Sequence, residues 1–166
     1  MDNSNKYKFA ILYFILNCNN DFLGATKLNK LLYYLDFISY RDRGHSVTGE
    51  SYVNKQYGLV PKDIENQLNR LQSEGCIKIV NKPYESRHKT QFVIKNYGDQ
   101  EYSDIFEDYE QKLLDAICKQ FKEWNTSMIV DQTHLEAPWV YSEDGKIVDY
   151  ELSKDIDIIP PLSKVA

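Results

Sequence analysis

The run from Leu28 to Tyr40 limits the fold more than any other part of the chain. Leu28, Leu31, Leu32, Leu35 and Ile38 recur at i, i+3, i+4, i+7 and i+10 and draw one continuous apolar stripe along a helix. Tyr33, Tyr34, Phe37 and Tyr40 carry apolar surface around the rest of the cylinder. A helix apolar on most of its circumference must be covered on several sides, so this one belongs at the centre of the fold. Thr26 can cap its start through the side-chain hydroxyl. Arg41 and Arg43 fall in its last turn, where cations complement the helix dipole, and Gly44 can end it. The chain of 166 residues suffices for one core around such a helix.

The remaining segments supply the cover. Phe9, Leu12, Tyr13 and Leu16 give Lys6–Cys18 helical spacing, and Asn17 to Gly24 is a polar break. Val47–Tyr57 has weak alternation, punctuated by Gly49 and Gly58. Pro61 suits the first turn of a third helix, Asp63 favours its positive end, Ile64, Leu68 and Leu71 mark its buried face, and Gly75 closes it. Ile77 and Ile79, then Phe92 and Ile94, alternate with other residues as two strands of a hairpin around a polar loop containing Pro83. Asp104–Trp124 reads as a long helix and Asn125–Leu135 as a shorter one; Asp144-Gly145 is a turn signal. The expected class is α+β, mainly α: a helical domain with a small antiparallel sheet or hairpin inserted between helix three and helix four. Residues 1–155 form the single domain and 156–166 a loose C-terminal tail.

Apolar content of 42% and charged content of 27% are those of a globular chain. The longest apolar run, Phe9–Leu16, is half of what a bilayer requires, and polar residues follow it without a small-residue cleavage site. The expectation is a cytoplasmic protein with no membrane partner. Cys18, Cys76 and Cys118 are odd in number, widely spaced and set among apolar residues, which reads as buried free thiols. The thirteen tyrosines suit either an interface or an aromatic-rich core. Charge is unevenly divided: residues 1–98 are mildly basic, whereas residues 99–166 carry 6 basic and 16 acidic side chains, a balance of −10. Such a segment repels phosphate backbones and attracts basic partners, or is a solvated helix face over Glu101–Glu110.

No pattern for catalysis emerges. His45, His88 and His134 lie far apart in sequence, and Asp131 with His134 at i, i+3 offers two metal ligands at most. The seven glycines form no phosphate-cradling loop, and no serine sits in a nucleophile elbow. The expectation is a protein that is not an enzyme, with no cofactor, no metal and no catalytic residue. In Gln132–Trp139, His134 can bond the last free carbonyls of a helix, Pro138 excludes helix at Ala137, and Trp139 folds back as an anchor. If Trp139 is instead exposed, it is a hot-spot candidate. Helix three followed by a basic hairpin resembles half of a winged helix. In that alternative, Lys62, Arg70, Lys82, Arg87 and Lys89 would meet the phosphates of a nucleic acid. Asp63, Glu65 and Glu74 on the same helix argue against it.

Three blocks in order resemble the Panacea domain of SocA-like antitoxins. They are Thr26-Lys27-Leu28-Asn29-Lys30-Leu31-Leu32-Tyr33-Tyr34, then Tyr57-Gly58-Leu59-Val60-Pro61, then Ser127 to Trp139 with Ser127, His134, Pro138 and Trp139 as its marks. The resemblance covers residues 7–155. It implies a mostly helical domain with a small sheet, acting as a bacterial or phage-linked antitoxin. Such a protein neutralises a cognate toxin by direct binding, and some relatives act as adaptors to a protease such as an AAA+ unfoldase complex. The family brings no catalytic residues with it. Tyr52, Tyr57, His134 and Trp139 are the toxin-contact candidates, with burial in the core as the other possibility for each.

Overall fold

The computed structural model describes residues 3–18, 23–84, 87–94 and 104–162, without the side chains at 3–4, 81–84 and 87–94. Helix α2 (Ala25–Arg43) runs through its centre: 12 of its 19 residues are buried, as its all-round apolar pattern requires. Gly44 ends α2 in the left-handed conformation (φ 82°), its N–H donating to the Tyr40 carbonyl. At the other end Gly24 occupies the N-cap, so Thr26 stands inside the first turn and is not the cap expected from sequence.

The other elements wrap this axis. Helix α1 (Asn3–Asn17) packs on α2, and the strands β1 (Tyr52–Lys55) and β2 (Gly58–Pro61) form a tight antiparallel hairpin against α2. The pairing runs from Tyr52 opposite Pro61 to Lys55 opposite Gly58, leaving Gln56 and Tyr57 at the turn. Pro61 therefore ends a strand and does not open helix three; α3 (Ile64–Ser73) begins after an N-cap at Asp63. Strands β3 (Ile77–Tyr84) and β4 (Arg87–Ile94) form the second hairpin, between α3 and α4 (Asp108–Phe121), in antiparallel register from Ile77 opposite Ile94 to Tyr84 opposite Arg87. Pro83 lies within β3, so these strands run further than the sequence pattern indicated. Helix α4 starts four residues later than expected because Glu107 and Glu110 build a capping box there. Helix α5 (Thr126–Thr133) is capped by Asn125, whose side chain accepts from the Met128 N–H at 2.9 Å. The one-turn helix α6 (Ala137–Val140) holds Pro138 in its first turn, so Ala137 is helical after all: proline suits a position whose N–H needs no intrahelical acceptor. Gly145 makes the expected turn, Ile147 bridges to Val53 beside β1, and a 3-10 helix (Tyr150–Asp155) lies on α2 and α6. No helix among the described residues is long and apolar enough to cross a membrane.

Aromatic rings fill the interior. Tyr34 stacks on Phe121 at 4.7 Å between centroids, and Phe37 packs on Tyr150 at 4.4 Å. Cys18 and Cys118 form a disulfide between the end of α1 and α4, with 5.8 Å between their Cα atoms; Cys76 is free and buried. The free-thiol expectation thus holds for Cys76 and fails for the other two, because the packing of α1 on α4 brings distant cysteines to bonding range. In the segment expected to be a loose tail, Ile156 and Ile159 are buried. Arg41 donates to both of their carbonyls, at 2.5 and 2.7 Å.

Candidate interaction site

The three sequence blocks that share a resemblance meet in space. Lys30 of α2 is fully buried, and its ammonium donates to the Leu59 carbonyl of β2 at 3.0 Å. Gly58 makes that approach possible. A Cβ there would stand 2.5 Å from Lys30 Cε and 3.1 Å from Thr133 Oγ1, and its φ of 110° is one that L side chains rarely adopt. One turn along α2, the hydroxyls of Tyr33 and Tyr34 donate to the two carboxylate oxygens of Glu136 at 2.8 and 3.1 Å. Gln132 Nε2 adds a third bond to Glu136 at 3.2 Å. Lys30 thus fixes the hairpin and Glu136 fixes the joint between α5 and α6, both to the same face of the central helix.

Two further buried ionisable groups on α2 do similar work. Asp36 accepts from the Val47 and Thr48 N–H groups at 2.9 and 2.8 Å and from the Thr48 and Tyr52 hydroxyls at 2.6 Å each, which sets the path of the chain into β1. Lys27 donates to the carbonyls of Lys122 and Trp124 at 3.0 and 2.6 Å, placing a cation at the negative end of α4. Burial governs all four. It lowers Lys30 to about 7 and Lys27 to about 8, the latter partly offset by Glu123. It raises Asp36 to about 6 and Glu136 to about 7, against the hydrogen bonds that favour their ionised forms.

Over this scaffold lies an aromatic surface. His134, the C-cap of α5, stacks on Trp139 with 3.9 Å between centroids and 20° between planes. Trp139 Nε1 donates to the Lys55 carbonyl at 3.0 Å, and Asn54 Nδ2 donates to the Trp139 carbonyl at 3.1 Å. Burial and the nearby Lys30 lower the His134 pKa, while Asp131 and a hydrogen bond to the Gln56 backbone act in the opposite direction. The turn of the first hairpin, the end of α5 and all of α6 are therefore pinned together at Trp139. These segments carry large apolar side chains that project into solvent: Leu135 is 78% exposed, Tyr141 76%, Tyr57 61% and Val140 47%.

The four contact candidates divide accordingly. Tyr57 is exposed, and His134 and Trp139 are partly buried in the stack. Tyr52 is 1% exposed, its hydroxyl bound to Asp36 and to the Leu32 carbonyl, so it is a core residue and offers no contact surface. Of the basic residues in the nucleic-acid alternative, Lys62 is exposed after β2, and Arg70 is exposed and ion-paired to Glu74 at 3.5 Å. Lys82 and Lys89 are opposite one another in the second hairpin and Arg87 opens β4; the side chains of these three lie outside the described residues. Sequence reasoning missed Leu135, Val140 and Tyr141, whose signal was apolar character at or just beyond a helix end. It also missed the buried role of Lys27 and Lys30, signalled by charge on an otherwise apolar cylinder.

Fold and site together define a mostly helical α+β domain in which buried charges on a central helix hold an aromatic surface in place. Residues 28–140 match the model of the family described as antitoxin SocA-like, Panacea domain, and the chain belongs to that family. Comparison with the curated proteins and with the solved structures found no match. Membership of an antitoxin family implies a toxin as partner and suggests a role without catalysis.

Proposed function

We propose that this protein is the antitoxin of a bacterial or phage toxin–antitoxin pair, acting in the cytoplasm, and that it neutralises its toxin by direct binding through the surface around Trp139. The observation that supports this reading is the convergence of the three family blocks beneath exposed Tyr57, Leu135 and Tyr141. Large apolar side chains in solvent cost free energy that a partner recovers by covering them, and tyrosine beside tryptophan is the composition of binding hot spots. Mechanistically, the folded domain occludes a toxin surface and turns over no substrate.

Co-expression with the product of the neighbouring reading frame tests the proposal. Growth should be rescued and the two proteins should co-purify as a stable complex. Tyr141→Asp, on a side chain that is 76% exposed, should abolish both while leaving the protein folded. Absence of any complex together with absence of rescue overturns the reading. An adaptor role to an AAA+ protease adds a separate requirement: the toxin must disappear in cells that hold the antitoxin and persist when the unfoldase is inactivated.

A further inference from the structure

The apolar strip has a mostly acidic rim. Asp131 on α5, and Glu143 and Asp144 just after α6, are exposed. Asp149 caps the start of the 3-10 helix, Asp155 ends it and Asp157 follows it; all three are exposed, and that helix packs on α6. Asp157 is near enough to raise the pKa of Glu136 in the α5–α6 joint. Against these six carboxylates the same region exposes Lys55 and Lys146; Lys154 is taken up by Glu151 at 3.2 Å.

We propose that the occupant of this surface is a cationic face of the toxin, with apolar contacts at the centre and basic side chains against the carboxylate rim. The inference rests on the reading of the protein as a toxin-binding antitoxin and adds the chemistry of the partner. A second copy of the chain is disfavoured, since a two-fold contact would set the acidic rim against itself. A nucleic acid is disfavoured because its phosphates meet the same repulsion. A basic protein surface gains from both parts: the rim steers it into encounter and the apolar strip holds it.

The triple variant Asp149→Asn, Asp155→Asn, Asp157→Asn removes rim charge and keeps shape. An asparagine side chain at position 149 retains a capping oxygen of the kind with which Asp149 now accepts from the Glu151 N–H. Binding to the neighbouring-frame protein is measured at 50, 150 and 500 mM NaCl by calorimetry, with thermal melts to verify the fold. The wild-type affinity should fall at least tenfold across that range. The triple variant should bind at least tenfold more weakly at 50 mM and converge on the wild type at 500 mM. Salt-independent wild-type binding, or a triple variant that binds as tightly as wild type, overturns the cationic partner. Where Tyr141→Asp still abolishes that complex, the toxin-binding reading stands without it. Failure to form a complex at any salt overturns both.

Discussion

Lys30 keeps its ammonium inside the protein with the Leu59 carbonyl as acceptor, and Glu136 keeps a carboxylate there under three donors. Their stability contributions have opposite signs in pH. Burial lowers Lys30 to about 7, so from pH 7 to about 10 the unfolded chain binds more protons at this site and stability rises with pH. Glu136 is raised to about 7, so between its ordinary carboxylate range and pH 7 the folded protein binds more protons, and its contribution is lost as pH rises through 7. Lys30→Met should therefore lose ground against wild type as pH climbs from 7 to 9, by up to about 1.4 kcal/mol per unit. Glu136→Gln should gain ground between pH 5 and 7.5. Urea unfolding across these pH values measures both, and parallel curves for variant and wild type would contradict the assignment. Gly58 supplies a second contrast. Gly58→Ala brings a methyl against Lys30 and Thr133 at a positive φ, and should cost about 2–3 kcal/mol. Gly44→Ala, also at positive φ but with no atom within 4 Å, should cost about 1 kcal/mol. Equal losses would mean that the approach to Lys30 carries no weight.

At the scale of elements, helices announced themselves through periodicity and their boundaries did not. The apolar cylinder of α2 and the Ile64, Leu68, Leu71 face of α3 follow directly from spacing. The start of α4 depends on a reciprocal cap between Glu107 and Glu110, and Pro61 ends a strand because it pairs opposite Tyr52; both are set by neighbours that composition does not name. The hairpin β1–β2 was faint in sequence for a related reason. It is held by Lys30 and by Asn54 more than by an alternating face. The Cys18–Cys118 bond is the clearest case of a feature illegible from spacing, since only the packing of α1 on α4 joins residues 100 apart. In the chain-entropy account a cross-link closing about 100 residues stabilises by up to about 4.7 kcal/mol. A reductant should therefore lower the urea midpoint of the wild type markedly and leave that of Cys118→Ser unchanged. A wild-type midpoint indifferent to reductant would show that the cross-link contributes nothing.

For the whole molecule, the central question is which tyrosines and apolar side chains face inward and which meet a partner. The sequence named Tyr57, His134 and Trp139, which the fold brings together, yet it missed Tyr141 and could not separate Tyr52, locked to Asp36, from Tyr57, which is 61% exposed. Tyr52 opens β1 and Tyr57 lies at the hairpin turn, and which of them is covered is decided only when α2 lies across the hairpin. Two variants separate the roles. Tyr52→Phe deletes a buried hydroxyl that serves Asp36 and the Leu32 carbonyl, so it should destabilise the fold by about 1–3 kcal/mol while folded molecules bind toxin as wild type does. Leu135→Asp changes a side chain that is 78% exposed and should leave stability within about 0.5 kcal/mol. At an apolar contact the new carboxylate must be desolvated, and toxin affinity should fall by about 30-fold or more, the scale of a hot spot. Calorimetric titration beside a denaturation curve reads both quantities for each variant. If Tyr52→Phe weakens binding at full folding while Leu135→Asp does not, the partner meets another face and the surface around Trp139 is structural alone.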